Sequence, residues 1–489
     1  MTLLSSLIDY GVIGTLVLLS MWAVAIAVER LSLYRRIDVT AFPSAQALET
    51  ELTRRLTVIG TVAANAPYIG LLGTVFGIIN AFTGNSNSAA IWIATSGSNV
   101  IQGNYLGTNA AGTGAAANYQ GVYINNTASN VIGGTTATTR NVISGNTWRG
   151  IFLDGGASSN GVRGNYIGVD VTGAMALANN IGITIWSSPS NTIGGTGIGD
   201  GNVISGNTQI GVYLVFSGAS SNTIQGNTIG RNAANTAAVA NGSQGVEICC
   251  NGDAGSNNTI GGTVNGAANI ISGNGGVGVR VSGGTGNAIA TNPIYGNGGI
   301  GIDLGSDGDT LNNGTKNGSL PNSDMDFPVI TSAVLEGTTL QVSGYVGSAA
   351  GQSTFAAARV EIFKSDLDGS GNGEGQTYLG YLTADASGNL SGTITGVSGL
   401  VAGDSITATA TDGSNSTSEF GAYFTVAGTA YVSASTWPTA ASSSRYIAVA
   451  FPAYLPSGAT VHGATFNHGY RSYQSSGTTC YYIEVYAGA

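Results

Sequence analysis

Charge is the scarcest property of these 489 residues: only 8% are Asp, Glu, Lys or Arg. Histidine occurs twice and cysteine three times. Three cysteines are too few for a disulfide framework, and His462 and His468 lack the Cys or carboxylate spacing of a metal site, so surface or turn roles fit them. Nucleophile elbows, phosphate loops and zinc patterns are absent as well. The formal charge of -10 is also uneven: residues 304–430 hold three basic and thirteen acidic groups, whereas every other stretch is near balance. Acidity confined to one segment, without a basic patch, excludes nucleic acid as a partner.

What is present in quantity is Gly, 78 residues, with much Ala, Ser, Thr and Asn. Such a composition suggests disorder until the apolar residues are placed, because they recur at fixed intervals and define a thin, repeated core. From 84 to 304 one phrase returns. Asn99, Asn130, Asn160, Asn191, Asn222, Asn258 and Asn287 are each followed two residues later by Ile101, Ile132, Val162, Ile193, Ile224, Ile260 and Ile289. The spacings are 31, 30, 31, 31, 36 and 29 residues. A steady period of this length marks a solenoid whose repeats bury their apolar faces only by stacking.

A second phrase, G-V-x-I or G-I-x-L, recurs in each repeat, as at Gly121 to Ile124 and Gly150 to Leu153. Its period of two sets Val122 and Ile124 inward and Tyr123 outward. Short strands bounded by Gly, Asn and Ser, with no helical segment between them, predict a parallel β-helix of about seven coils, roughly 34 Å tall at the inter-strand spacing of ~4.8 Å. An Asn at one place in every coil tolerates a left-handed turn and stacks its amide into a ladder. Alternation also predicts that Cys250 is buried and Cys249 exposed. The acids of this region, Asp154, Asp170, Asp200, Glu247, Asp253 and Asp303, are scattered, and Asp154 and Glu247 belong to separate coils too far apart to pair. Without a convergent acid and base, no enzyme is expected here.

The phrases "SNTIQGNTIGRNAANTAAVANG", "NVISGNT" and "GNGGIGIDLGSDGDTLNNG" resemble the right-handed parallel β-helix repeat proteins of bacterial surfaces. The resemblance implies the fold and an exported location, and no particular reaction.

The beginning of the chain has a different character. Residues 10–28 are almost continuously apolar, enough to span roughly 28 Å as a helix. No basic leader or small-residue cleavage site precedes them, so a retained membrane helix is expected rather than a signal peptide. A second apolar run covers 56–82, with small residues including Gly70, Gly73, Thr74 and Gly77 along it, a stripe that lets helices pack closely in lipid. Arg30, Arg35, Arg36, Arg54 and Arg55 lie between the two runs, which puts that loop in the cytoplasm and residues 84–489 in the periplasm or outside the cell.

The words "AVAIAVERLSLYRR" and "ELTRRLTVIGTVAANAPYIGLLGTVFGIINAF" resemble the MotA/TolQ/ExbB proton-channel family. That resemblance implies an inner-membrane location, assembly as a homo-oligomer through the helical hairpin around an ExbD/TolR-like partner, and Thr74 as the pore-lining residue. Gly70, Gly73 and Gly77 are then helix-packing positions. Two departures stand out: the loop between the helices is short, and no third membrane helix follows Phe82. The junction from Phe82 to Asn87 passes from channel-like to solenoid-like sequence without a polar capping turn, as in a mosaic of separate parts.

Beyond the solenoid, 305–326 reads as a Gly/Asn/Asp-rich linker. Residues 327–430 alternate over turns about every ten residues, predicting an Ig-like β-sandwich. Within it Asp366, Asp368, Ser370 and Asn372 offer alternate oxygens in the manner of a calcium loop. The twelfth position is Thr377, where an EF-hand has Glu, so calcium is the one cofactor candidate and a solvated turn the plainer reading. Residues 431–489 read as a small β module ending as a fragment.

The expected fold is thus mainly β: a right-handed parallel β-helix with an N-terminal two-helix transmembrane hairpin (1–83) and C-terminal β-sandwich modules. The expected function is a membrane-anchored extracytoplasmic protein for adhesion or glycan binding. A subunit of a proton-driven transport complex is the second reading, and a polysaccharide lyase the third.

Overall fold

The computed structural model describes residues 19, 21–54, 61, 84–250, 253–367, 369, 371–428, 445–447, 471–475 and 478–485. They fall in two units, Met1–Ala427 and Gly428–Ala489. In the first, residues 21–36 are helical, and a helix at Ala45–Thr53 follows, started by Ser44, whose Oγ accepts from the Ala47 N–H at 3.2 Å. Arg30 Nη1 donates to the Glu51 carbonyl at 2.8 Å and Tyr34 OH to the Leu52 carbonyl at 2.9 Å. Carbonyls of a last helical turn have no partner within the helix, and these two donors supply one. The short loop expected between the membrane helices therefore contains a helix of its own. Most of 10–28 and 56–82 lies outside the described residues. Among the described residues no helix is long and apolar enough to cross a membrane.

From Ala89 the chain winds as a β-solenoid with three parallel sheets. The first has eight strands, from Ala89–Ile93 to Ile302–Leu304, and the second seven, from Val100–Ile101 to Ala288–Ala290. The third has seven solenoid strands, from Tyr105–Leu106 to Ile294–Tyr295. Strands pair in register, so like residues fall in columns: Ile132 on Val162, Ile193 on Ile224, and Ile151 on Ile183. Ile132, Val162, Ile193, Ile224 and Ile260 are fully buried, as are Ile143, Ile167, Ile204, Ile229 and Ile271 of the third sheet. Each such side chain contributes roughly 1.5–3 kcal/mol on leaving water, and the columns together form one continuous core.

Asparagine forms three ladders, not one. The expected ladder runs Asn99, Asn130, Asn160, Asn191, Asn222, Asn258, Asn287. A second runs Asn104, Asn141, Asn165, Asn202, Asn227, Asn269, Asn292. A third runs Asn85, Asn118, Asn146, Asn179, Asn207, Asn241, Asn274, Asn297. In a typical step, the N–H and Nδ2 of Asn165 both donate to Asn202 Oδ1 in the next coil, at 2.9 and 3.0 Å. The left-handed backbone in the first ladder falls one residue before the Asn, at Ser98, Ser129, Ser159, Ser190, Ser221 and Asn257, with φ between 55° and 61°. The Asn itself is left free for stacking. Glycine is needed where coils approach closest: at Gly133, Gly194 and Gly261, φ is 88°, 85° and 82°, and a Cβ would run into the next coil's carbonyl.

Loops after the third sheet follow a doubled period. Small hairpins close at Thr108/Ala115, Val169/Ala176 and Arg231/Ala238, 61 and 62 residues apart, on every second coil. They rest on one another, the Val171 N–H donating to Gly112 O and the Ala233 N–H to Gly173 O, each at 2.9 Å. Elsewhere, Cys249 and Cys250 are joined by a disulfide and both are half-buried, contrary to the alternation expected of them. The strand ends at Cys249, so Cys250 is no longer bound by strand geometry.

Ladder polarity dictates how the solenoid ends. Every rung donates toward the C-terminus, so the last rungs need acceptors. The Asn287 N–H finds Asn322 Oδ1 at 3.0 Å, and Asn297 donates from N and Nδ2 to the two oxygens of Glu374, at 3.1 and 2.9 Å. Glu361 takes the Thr291 N–H at 2.7 Å, Asp366 the Gly296 N–H at 2.8 Å, and Glu419 the Leu304 and Thr310 N–H groups, both at 2.8 Å. Asn322 lies in the segment that reads as a linker, and it is fully buried.

The carboxylates come from a sandwich. One sheet contains Asn389–Thr395, Thr339–Val346 and Pro328–Glu336. The other, Ser405–Thr411, Arg359–Ser365 and Gly375–Thr383, continues the third solenoid sheet through an antiparallel pairing of Ile294 with Gly375. The second unit is described by three antiparallel strands, Arg445–Ile447, Thr478–Val485 and Arg471–Ser475, in that order.

Two outcomes are expected. Asn202→Ala strands two donors of Asn165 and removes the amide's bonds to Val162 O and Asn227, at 2.8 and 2.9 Å. It should lower unfolding free energy by about 2–4 kcal/mol, read as a shift in denaturant midpoint; an unchanged midpoint would mean the ladder is incidental. Burial raises the Glu419 carboxyl to about 8, outweighing the three hydrogen bonds it accepts. Folding thus favours its protonated form, a contribution complete below about pH 4.5 and lost as pH rises through about 8. The pH slope of stability over that window should flatten in Glu419→Gln; identical slopes would exclude Glu419 as its source.

Candidate functional site

Of the three solenoid sheets the first has the longest strands, and its outward positions carry a concentration of aromatic and charged side chains. Alternation puts the middle residue of each G-V-x-I phrase on this face, and parallel register lines them up at ~4.8 Å steps. The resulting row is Trp92, Tyr123, Phe152, Thr184, Tyr213, Glu247, Arg280 and Asp303. Its first rings stack: Trp92 on Tyr123 at 5.6 Å between centroids and 18° between planes, and Tyr123 on Phe152 at 5.0 Å and 11°. Trp186, two residues beyond Thr184 on its strand, meets Phe152 and Phe216 edge-on at 6.5 and 4.8 Å. Such pairs add roughly 0.5–1.5 kcal/mol each beyond burial. Rings stacked on each other show solvent their edges; Trp92, at the end and 61% exposed, also offers a face.

Polar groups are fixed among the rings. Tyr123 OH donates to Asp154 Oδ2 at 2.9 Å and accepts from Asn125 Nδ2 at 3.1 Å. Burial, reinforced by the Asp154 acceptor, pushes the Tyr123 phenol up to about 12, so it stays a donor across the physiological range. The guanidinium of Arg149 lies 3.5 Å from the centre of Trp148, 4.1 Å from Phe152 and 5.9 Å from Trp186, with Nε donating to Thr184 Oγ1 at 3.1 Å. Burial lowers its pKa to about 10, still a cation at neutral pH.

The far end of the row is charged. Arg280 Nε sits 3.1 Å from Asp303 Oδ2, while Asp303 Oδ1 accepts the Ser306 N–H at 3.1 Å. Burial raises the Glu247 carboxyl against the pull of Arg280, and burial together with Glu247 raises Tyr213. Glu247 and Asp303 share a row two strands apart, which their scattered sequence positions had concealed. Both Asp303 oxygens are engaged, however, and Arg280 stands between the two acids. Two of the other acids have turn roles: Asp170 accepts from Thr172, Ala174 and Met175, and Asp200 from the Gly197 N–H at 2.9 Å. The face thus combines fixed rings, a buried cation and engaged carboxylates at Asp154 and Asp303.

The residues singled out from sequence lie elsewhere. Thr74, Gly70, Gly73 and Gly77 are outside the described residues, as are Asp368, Ser370, His462 and His468. Asp366 spends one oxygen on the Gly296 N–H, and the Asn372 carbonyl accepts from Thr407 Oγ1 at 3.3 Å. Among the described residues no three His, Cys, Asp or Glu gather as a metal-binding group. The aromatic row was open to detection, because its members are the variable letters of the repeated phrase.

Against this geometry, the comparisons speak for the beginning of the chain. Residues 37–100 match the MotA/TolQ/ExbB proton channel family. Within that class the similarity is to ExbB. The biopolymer transport protein ExbB of Aquifex aeolicus (strain VF5) is 52% identical over 79 residues, 16% of this chain and 53% of that protein. The biopolymer transport protein ExbB of Helicobacter pylori (strain J99 / ATCC 700824) is 38% identical over 85 residues, 17% and 57% respectively. The chain thus spans little more than half the length of these relatives. The match begins ahead of the helix at Ala45–Thr53 and runs into the first coil, across the strand Ala89–Ile93. Among solved structures, the adhesin domain of Epf from Streptococcus pyogenes is 16% identical, with a TM-score of 0.17 over 22% of this chain and 34% of that one. A score that low carries no structural argument.

Proposed function

We propose that this is a membrane-anchored, extracytoplasmic, right-handed β-helix protein that binds surface glycans, without catalysis, through the outer face of its first sheet. The observation that carries the reading is the strip formed by Trp92, Tyr123, Phe152, Arg149 and Trp186. Trp, Tyr and Arg are the side chains that dominate binding energy at interfaces, and sites for small ligands pair apolar rings with a few placed polar groups. Anchoring rests on the family segment at 37–100 and on the two apolar runs, with the Arg-rich loop in the cytoplasm and residues 84–489 in the periplasm or outside the cell. Detergent-solubilised full-length protein should bind members of a glycan panel, and Trp92→Ala, which removes a largely exposed ring, should weaken binding about tenfold. Failure to bind any glycan would sink the proposal.

The second reading is a subunit of a proton-driven ExbB/TolQ/MotA-type transport complex, homo-oligomeric and paired with an ExbD/TolR-like partner. The 52% identity to ExbB favours it. Proteoliposomes of the purified protein should then carry a proton flux that Thr74→Val abolishes. Absence of flux, with or without an added partner subunit, would exclude it.

A further inference from the structure

Arg149 is the most buried arginine of the solenoid, with only 4% of its surface exposed. Among the described residues no carboxylate forms an ion pair with it, as one does with Arg163 and Arg280, and it is more enclosed than Arg140 and Arg231. Arg163 faces Asp200 at 4.0 Å and Arg280 faces Asp303 at 3.1 Å, while Arg140 donates to Gly164 O and Arg231 to Ser272 and Asn235. Arg149 makes one hydrogen bond, from Nε to Thr184, and its Nη1 and Nη2 have no partner among the described residues. Asp154, the carboxylate whose charge acts on Arg149, is already taken by Tyr123 OH and by the Gly155 N–H at 2.7 Å. A desolvated cation held by rings, with the tip of its fork unused, is a costly arrangement unless an anion completes it.

From this we infer that Arg149 is the seat of an anionic group on the ligand, a sugar carboxylate, flanked by Trp148, Phe152 and Trp186. The assignment rests on the glycan-binding reading and narrows it to acidic saccharides. A planar carboxylate matches the two parallel N–H groups at the tip of a guanidinium fork, and the surrounding rings give the sugar an apolar wall. Asp154 beside the site limits how much negative charge the seat accepts. A single charge fits better than a dianionic phosphate, which would meet Asp154 with twice the repulsion.

Calorimetric titration of the full-length protein in detergent tests this with oligomers of glucuronate, galacturonate and mannuronate, each beside its own methyl ester, and with a phosphorylated oligosaccharide. At least one free acid should bind ten times or more tighter than its ester, and added salt should shrink the difference less than it would for a fully exposed pair. Arg149→Gln should bind acid and ester alike, and Arg149→Lys should recover part of the preference. Equal affinity of acid and ester for the unaltered protein overturns the seat while leaving glycan binding intact. Tighter binding of the phosphorylated sugar overturns the carboxylate assignment. Binding of no saccharide at all removes both this inference and the reading beneath it. The acid-to-ester comparison needs no variant, so it decides the matter even if Arg149→Gln folds poorly.

Discussion

Every amide in the three asparagine ladders points the same way, and this directionality governs the rest of the solenoid. Each rung offers an acceptor to the coil before it and donors to the coil after it. The stack therefore has a polarity, acceptor-ended at its start and donor-ended at its finish, independent of the apolar core. A donor-ended face buried against another domain requires oxygens. The sandwich supplies them from Glu361, Glu374, Glu419, Asp366, Ser416 and Thr417, and the preceding segment supplies Asn322. The acid-rich composition of residues 304–430 is in part a consequence of the ladder's direction, because the two oxygens of a carboxyl group can take two donors at once, as those of Glu374 and Glu419 do.

Much of this fold was legible because it is repetitive. The Asn-x-Ile period located one ladder and the second sheet's core, and the G-V-x-I phrase located the first sheet. The other two ladders were harder to read because their spacings swing widely, from 23 to 42 residues in the second, as loops of different length intervene. The cap was not legible: Glu361 and Thr291 meet across 70 positions, and nothing local to either announces it. The recognition strip falls between these cases. Tyr123 could be placed on the outer face from alternation alone, but Arg149 belongs to it by folding back over Trp148 and Phe152 beside it in sequence and reaching toward Trp186 of the next strand, which no periodicity encodes.

The family match and the solenoid overlap rather than abut. Channel-family similarity extends to residue 100, whereas β structure begins at Ala89. Ile91 and Ile93 of that strand are half-buried, where Ile151, Leu153, Ile183 and Ile185 of later coils are fully enclosed. The first coil is thus an incompletely covered member of the stack, unlike the C-terminal coil with its dense set of acceptors.

The paired hairpins set a quantum for change in length. Because they occur on every second coil and rest on one another, adding or losing a single coil would put a hairpin against a coil that has none. Ladders and core columns would tolerate such an event, since every coil presents the same Asn and Ile. The hairpin ridge would not, and Val171 and Ala233 would lose the carbonyls of Gly112 and Gly173. A change of two coils, about 61 residues and roughly 9.6 Å of height, would keep the ridge in step, so three small loops set the smallest change in length that leaves their contacts whole.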